Sequence, residues 1–488
     1  MKSILNISLL IGILLLTSCN DFLDVNTDPN NPTEVAPSLV LPVGQNYTAQ
    51  LIQNDRRVNS LGNMMMYNWS QSDGFSWYSE EFKYLVTSSF YRNIFNNSYT
   101  QPLKQYQVLE QLTSEYDYYK AIAKIMKAYH YQILVDLYGD IPYSEALLRK
   151  ENATPVYEDA KTVYEDLIVQ LTAAIELIDK AENQVAPGAD DITFGGDMDM
   201  WKQFANTIKL RILVRQSSMA GRNDYIKEQI NAIISEGSGF ITSDVGVDPG
   251  FLKEENKQNP IWQAYGSEVS GSPTMNNQAT CATDYIITYL TNTKDPRIDF
   301  IYEKPATGHL GVPQGLLDYD TPVVDAYEPK KVSNIGPGIL KSYDQSAIIF
   351  SLAESYFNQA EAAFKGLMPG SAKTFYQQGI EASFDYLGAT GAPAYYNQVK
   401  DLVSYDASTN KLQAIITQKW IALNGITAEQ SWFDYSRTGY PANLPISLLA
   451  STANRPVRLF YTSDEISSNG ANVPSQPNAF TEKIFWGK

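Results

Sequence analysis

Residues 118–138 read YYKAIAKIMKAYHYQILVDLY, and this stretch decides the fold class of the chain. Its apolar residues recur at spacings of three and four, which predicts a helix with one buried face. Gly139 follows at the position where a glycine commonly ends a helix. The residues that share the buried face are Ile122, Ile125, Met126, Tyr129, Ile133 and Leu137.

The same apolar period returns along much of the chain. Residues 163–178 repeat it after a short connection, so this segment and residues 118–138 should lie antiparallel. Trp201, Phe204, Ile208 and Ile212 open a third helix, with Arg211 and Arg215 beside them. Further helices are predicted over residues 38–54, 225–235, 352–364, 375–387, 412–424 and 428–435. The protein is therefore expected to be mainly α-helical.

The segment from Leu352 resembles a tetratricopeptide repeat, a pair of helices that stacks on its neighbours. Leu352-Ala353-x-x-Tyr356 is followed by a small residue at Ala372 and by aromatic rings at Phe375 and Tyr376. The spacing exceeds the usual repeat of about 34 residues. A tetratricopeptide-like helical-repeat scaffold is the predicted architecture.

Residues 237–340 differ in character. Gly, Pro, Asn and Asp separate short segments, and only 284–291 has a clear helical pattern. Long irregular segments in compact proteins are commonly functional, and Trp262, Tyr265 and Tyr319 within this one indicate order. A loop-rich excursion from the helical scaffold is expected here.

The N-terminus predicts export and lipid attachment. Residues 1–18, MKSILNISLLIGILLLTS, combine Lys2 with an apolar run too short for a membrane span of about 20 residues. Leu16-Thr17-Ser18-Cys19 resembles the lipobox of bacterial lipoproteins, in which the cysteine becomes the acylated first residue. An ordinary signal peptide with a chance cysteine is the alternative. Residues 20–37, rich in Asn, Asp and Pro, then read as a linker.

Composition limits the partners of the chain. The 488 residues carry a formal net charge of −17, which becomes −18 once Lys2 is removed with residues 1–18. Such an acidic body should repel nucleic acid and anionic lipid, so contact with the membrane is expected through the lipid anchor alone. With Cys19 acylated, Cys281 has no cysteine left for an intrachain disulfide.

Aromatic residues supply the predicted binding site. The chain has 33 Tyr and 7 Trp, and a flat ring can stack on the apolar face of a sugar while amides and carboxylates bind its polar rim. Each ring could instead serve core packing. The predicted ligand-binding residues are Trp69, Trp77 and Tyr78, beside Asn68, Gln71 and Asp73, and Trp262 and Tyr265, near Asn259, Asn276 and Asn277.

Catalysis, metal binding and a cofactor are not expected. The chain has two histidines, His130 and His309, and no G-x-S-x-G, H-E-x-x-H, Walker A or G-x-G-x-x-G motif. A glycosidase needs only two carboxylates, so composition leaves that chemistry open. The candidate carboxylate pairs are Glu80–Glu81, Glu254–Glu255 and Asp197–Asp199, which read as surface charge. Acidic clusters at 26–31 and 190–199 fit turns or caps better than calcium sites.

The chain resembles the SusD/RagB family along nearly all of its mature length. The resemblance is carried by the lipobox with CNDFLDVNTDPNNPTEV, by KAYHYQILVDLYGDIPYSEAL, GGDMDMWKQFANTIKLRILVR and LAESYFNQAEAAF, by ITQKWIALNGITAEQSWFDYSRTGYP and by RPVRLFYTSDEISSNGANV. It implies a surface lipoprotein of Bacteroidetes-type bacteria that binds a nutrient, often a glycan, over a SusC-type TonB-dependent barrel. The shared motifs imply scaffold roles for Trp201, Arg211, Glu361, Trp420 and Arg437.

These observations predict a signal peptide at 1–18, a lipidated N-terminus and linker at 19–37 and a SusD-like domain at 38–488. Within that domain the helical scaffold should cover about 38–236 and 341–437. The expected protein is an outer-membrane lipoprotein facing the cell exterior that captures a glycan and passes it to the barrel. A glycoside hydrolase and a helical-repeat scaffold for peptide or protein import are the alternatives.

Overall fold

A computed structural model describes residues 36–182, 184–317 and 324–487. Cys19, the signal peptide, residues 20–35 of the linker and Tyr319 lie outside the described residues. Helices dominate the described chain, and the strands are short and few. No described helix combines the length and apolar character that crossing a membrane requires.

The first half of the chain contains most of the long helices. They are α1 (Pro37–Gln53), α2 (Val58–Met65), α3 (Ser79–Lys83), α4 (Arg92–Ser98), α5 (Lys104–Glu110), α6 (Asp117–Tyr138), α7 (Ala160–Lys180), α8 (Met198–Arg215) and α9 (Asn223–Glu236).

The second half begins with short helices and ends with further long ones. They are α10 (Pro260–Tyr265), α11 (Met275–Ala279), α12 (Asp284–Thr293), α13 (Ile298–Ile301), α14 (Leu352–Phe364), α15 (Ala372–Leu387), α16 (Ala392–Tyr396), α17 (Lys411–Leu423), α18 (Ala428–Thr438) and α19 (Ser463–Ser468).

Helices α6 and α7 form the predicted antiparallel pair. Tyr118 near the start of α6 donates to the carbonyl of Ala181 after the end of α7, whereas Asp136 near the end of α6 accepts from Tyr164 near the start of α7. Gly139 ends α6 with φ +80°, a conformation that side-chain-bearing residues rarely adopt. The helix boundaries thus follow the residues that predicted them.

Successive helix pairs build the scaffold, as the sequence predicted. Helix α7 also packs on α8, α14 packs on α15 and α17, and α17 on α18. Trp201 and Trp420 are fully buried, in agreement with their predicted packing roles. A mainly α-helical repeat architecture is therefore confirmed.

A buried ionic network joins four helices of this scaffold. Arg437 on α18 binds Glu361 on α14 with both terminal nitrogens, and Asp434 accepts from Arg215 on α8 at 2.7 Å and pairs with Lys419 on α17 at 2.8 Å. Burial alone would raise the pKa of the Asp434 carboxyl, but the surrounding cations hold it well below its usual range. Because each charge has a partner, the network fixes how these helices pack.

Three two-stranded antiparallel sheets interrupt the helices. They pair β1 (Trp69–Gln71) with β5 (Thr280–Ala282), β2 (Ile141–Pro142) with β3 (Tyr157–Glu158), and β4 (Val245–Val247) with β6 (Ala347–Phe350). The β1–β5 sheet sets Trp69 opposite Ala282 and so fastens the segment around residue 70 to the middle of the excursion.

The excursion contains more helix than the sequence predicted. Besides α12, it forms α10, α11 and α13, each of four to six residues. Such short helices show no measurable apolar period, and their ends depend on local signals instead. Asn259, for example, caps α10 by accepting from the Trp262 amide, and Pro260 occupies its first position.

Candidate functional site

The loop that follows β1 carries the first group of predicted rings. Ser72 and Asp73 anchor it through main-chain bonds to Ala279 and Tyr327, and Gln71 accepts from the Trp77 amide at 3.1 Å while donating to the carbonyl of Leu317 at 2.7 Å. The loop is therefore fastened on both sides of its tip, Gly74. It holds Phe75 and Trp77 in an edge-to-face pair with ring centroids 5.5 Å apart.

The second group of rings lies on α10. Trp262 is partly buried and packs over Gly266, where an added Cβ would come within 2.7 Å of the indole ring. Tyr265, one turn further on, is buried. Only a glycine at position 266 leaves room for the indole in this position.

A single turn after α1 joins the two groups. Asp55 accepts from the Tyr265 hydroxyl at 2.8 Å, and the neighbouring Arg56 donates to the carbonyl of Trp77 at 2.9 Å. Arg56 has φ +48°, so the turn is held in a backbone conformation that is rare for residues other than glycine. The structure therefore gathers all five predicted residues into one region.

Three of the five rings form the buried base of this region. Trp69, Tyr78 and Tyr265 are 1%, 2% and 1% exposed. Trp69 packs on Tyr265 at 5.0 Å between ring centroids, and the Tyr78 hydroxyl shares a hydrogen bond with Thr280. Burial raises the pKa of both tyrosine hydroxyls, so they remain neutral. In this conformation these rings support the surface rather than form it.

The polar residues predicted beside the rings are used mainly within the protein. Asn68 is buried and bonds Asn63, and Asp73 accepts from the Val324 amide. Asn259 caps α10, and Asn277 donates to the carbonyl of Tyr265. Their amides hold the loops in place, so other groups must supply polar contacts for a ligand.

A cavity lined by residues that lie close to Trp262 in sequence supplies such groups, and the sequence analysis did not identify it. Its volume is 410 Å³, and carboxylate, amide and hydroxyl side chains dominate its lining. Gln263 follows Trp262 directly and faces this cavity. The lining residues are Glu255, Asn256, Gln258, Gln263, Glu268, Val269, Ser270 and Thr274. A cluster of amides beside a Trp was the signal available in the sequence.

The histidines have structural partners. His130 is buried, its Nε2 lies 2.8 Å from the Thr48 hydroxyl, and burial lowers its pKa to about 3. His309 lies between Ser333 and Asp299. Burial also raises the pKa of the Cys281 thiol well above its usual range, which makes it a poor nucleophile.

The candidate carboxylate pairs serve individual structural roles. Glu81 is buried and accepts from Tyr91, Glu254 pairs with Lys257, Asp197 caps α8, and Asp199 pairs with Lys202. In the predicted turn at 190–199, Asp191 accepts from main-chain amides and from the Trp201 indole. Among the described residues, no cluster of three or more His, Cys, Asp or Glu could hold a metal ion.

Comparison with known proteins identifies relatives. A family model described as SusD-like, starch-binding and associating with the outer membrane, matches residues 29–462. A chitin-binding SusD homologue from Flavobacterium johnsoniae superposes with a TM-score of 0.75 at 22% identity, covering 92% of this chain and 98% of that one. A SusD homologue from Bacteroides uniformis has a TM-score of 0.75 at 23% identity, covering 92% and 99%. No curated protein matches the chain.

Proposed function

This chain belongs to the SusD-like family, and we propose that it is a cell-surface lipoprotein that captures a glycan and passes it to a SusC-type TonB-dependent transporter of the outer membrane. The family description, starch-binding and associating with the outer membrane, supports the ligand class and the location. The chitin-binding protein among the structural neighbours also has a glycan ligand.

The observation that carries glycan binding is the pair of partly buried tryptophans near one turn. Both pack against the core, Arg56 donates to the carbonyl of Trp77, and Asp55 accepts from Tyr265 on the helix that carries Trp262, so little side-chain freedom would be lost on binding. A pyranose can stack its C–H face on such a ring. The amides and carboxylates of the 410 Å³ cavity then suit its hydroxyl groups.

Trp77 and Trp262 are therefore assigned the ligand contacts. Trp69, Tyr78 and Tyr265 position them from below, through the ring contact and the hydrogen bonds to Thr280 and Asp55. All five residues therefore contribute to the proposed glycan site, two by contact and three by position. The proposed site uses neither a metal nor a cofactor.

Membrane attachment is assigned to Cys19, acylated after removal of residues 1–18. A single acyl chain holds a protein only weakly, whereas several chains on one cysteine give a stable anchor. The acidic body then remains in water above the outer leaflet, where its helical scaffold can dock on the transporter barrel. The net charge of −17 for the whole chain disfavours nucleic acid as a partner.

Alanine substitutions at the two tryptophans test the proposed site. The lipoprotein is purified in detergent, and its affinity is measured by calorimetry for maltohexaose, cellohexaose, mannohexaose and chitohexaose. Losing one stacked ring should weaken the best of these ligands about tenfold, since a ring stack contributes up to about 1.5 kcal/mol. Trp77→Ala and Trp262→Ala should both show this loss.

Phe364→Ala provides the matched control. Phe364 is a 42% exposed aromatic residue at the end of α14, outside the proposed site, so its removal should leave affinity unchanged. Unchanged affinity in both tryptophan variants would refute the assignment of the site. Binding of none of a broad glycan set would refute the ligand class.

Two further measurements test the transport role and the absence of catalysis. Affinity purification of the lipoprotein from native membranes should recover a TonB-dependent barrel in near-equal amount. Incubation with each hexasaccharide should release no reducing sugar. Recovery without a barrel would contradict handover, and sugar release that a single Glu or Asp substitution abolishes would favour the hydrolase alternative.

A further inference from the structure

A second ligand-sized groove lies on the helical scaffold. It consists of two cavities of 480 and 360 Å³ that share Gln107 and Ala146 as lining residues. Its walls come from α4–α7 and from the connection between α6 and α7. None of its lining residues belongs to the loop after β1 or to the excursion.

The larger cavity is mainly apolar and aromatic. At its wall the half-buried Tyr99 packs at a tilt on the buried Phe95, with ring centroids 4.9 Å apart, and the Tyr99 hydroxyl donates to the carbonyl of Pro142 at 2.6 Å. The polar side chains at its rim are Thr100, Lys104, Gln107, Asn152 and Glu465. A rigid aromatic wall with a hydrogen-bonding rim suits a pyranose ring.

Two backbone features independently mark this cavity as more than a packing defect. Tyr99–Leu103 form a π-helical turn, and such turns are frequent at functional sites. Leu147, on the opposite wall, has φ +68°, which is unfavourable for a branched side chain. Leu147 also packs against the hydrophobic core, so its side chain belongs to both the core and the cavity wall.

The smaller cavity is polar, and its charges balance. Lys124 and Lys127 both pair with Glu110, Lys124 also binds Gln170 at 2.9 Å, and Tyr143 donates to Asp166 at 2.5 Å. Because two cations face two carboxylates, this half has no net charge to attract an ion. Gln107 accepts from Lys127 through its amide oxygen, and its amide nitrogen has no partner among the described residues, so it can donate to a hydroxyl of a neutral ligand.

We infer that this groove binds a second segment of neutral oligosaccharide, with one sugar against Tyr99 and Leu147 and the next beside Gln107 and Gln170. The choice of a sugar rests on the proposed function. The groove itself supports it, because an apolar aromatic end continues into a neutral polar end. The volume of each cavity is within the usual range for ligand sites.

Two binding sites, one at the loops and one in the groove, would hold a long polysaccharide more tightly than either site alone. A polysaccharide chain held at the loop surface and at the groove dissociates only when both contacts release, so its effective affinity exceeds that of either site. A short oligosaccharide would occupy each site independently.

Hydrogen–deuterium exchange on the full mature lipoprotein in detergent tests this site with the same four hexasaccharides. We expect protection of peptides covering 99–107 and 142–148, in addition to 72–78 and 256–274. In Leu147→Gly, protection of the groove peptides should disappear and that of the loop peptides persist. Glycine accepts the positive φ without strain, which favours folding of this variant.

Gln107→Met is the second variant and keeps the side-chain length. It should weaken the affinity of the groove for the hexasaccharide about tenfold.

Each outcome decides between the two proposals. Protection at the loops alone, or groove protection that survives both substitutions, would overturn the groove and leave the proposed function intact. Protection at the groove alone would support the groove and overturn the loop site. Protection at neither place with any of the four saccharides would overturn both.

Discussion

Replacing Glu429 by glutamine should remove part of the pH dependence of folding stability. Glu429 lies in the first turn of α18, is 1% exposed, and its Oε2 has no hydrogen-bond partner among the described residues. Burial, aided by the nearby Glu354 carboxylate, raises the pKa of Glu429 to about 7. The carboxyl therefore takes up a proton more readily in the folded chain than in the unfolded one.

The sign and size of the effect follow from these two pKa values. A raised pKa in the folded state stabilises the protein below the unfolded value of 4.5, and this stabilisation is lost as the pH rises through 7. The full difference corresponds to about 3 kcal/mol, most of which is lost between pH 4.5 and pH 7. Glutamine does not titrate, so Glu429→Gln should keep that stability at pH 7.

Urea unfolding followed by tryptophan fluorescence measures this difference. The unfolding free energy of Glu429→Gln minus that of the parent protein should rise by about 2–3 kcal/mol from pH 4.5 to pH 7. His130 acts in the opposite direction, since its lowered pKa removes stability as the pH falls below 6.5. It is present in both proteins and cancels in the difference. A difference that is constant with pH would refute the reasoning.

Three further predictions concern packing, buried charge and the anchor. In Gly62→Ala, the new Cβ would lie 2.0 Å from the Glu429 amide nitrogen, so urea unfolding should show a loss of about 3 kcal/mol of stability. Gly188→Ala is the control: no atom lies within 4 Å of the new Cβ, so this variant should lose little stability. Arg437→Met removes the bidentate partner of Glu361 and one of the cations that pair with Asp434, and it should cost about 3–5 kcal/mol by the same assay. Cys19→Ala should move the protein from the outer-membrane fraction to the periplasm, as checked by fractionation and mass spectrometry. A variant that remains in the outer membrane would contradict anchoring through an acylated Cys19.

The scaffold could be predicted because long helices carry their own signals. The period of three and four over residues 118–138 places α6 within one residue of its observed start, and Gly139 marks its end. Helices α10, α11 and α13 of the excursion could not be predicted in this way, because four to six residues show no period. Tertiary contacts stabilise them, such as the bond between Tyr265 and Asp55, which are far apart in sequence.

The sequence predicted five candidate rings in two segments but could not separate surface rings from buried ones. Strand β1 is buried on both faces, so Trp69 lacks the alternating pattern that would reveal its orientation. Trp77 and Tyr78 are neighbours in sequence, yet the turn leaves one partly exposed and buries the other beside Thr280. The burial of Tyr78 depends on a partner 202 residues away, which no local pattern encodes.

The way in which the loops are fastened explains how one scaffold can accept different ligands. Arg56 and Gln71 hold the loop after β1 through the main-chain carbonyl and amide of Trp77, and Thr274 donates to the carbonyl of Ala264. A main-chain bond does not depend on which side chain the residue carries, so the ring at 77 can change while the loop stays in place. The buried network around Asp434 works in the opposite way, because each charge needs its own partner. Under the proposed function, ligand preference at the loop site is therefore free to vary, whereas the packing of the helical scaffold is constrained.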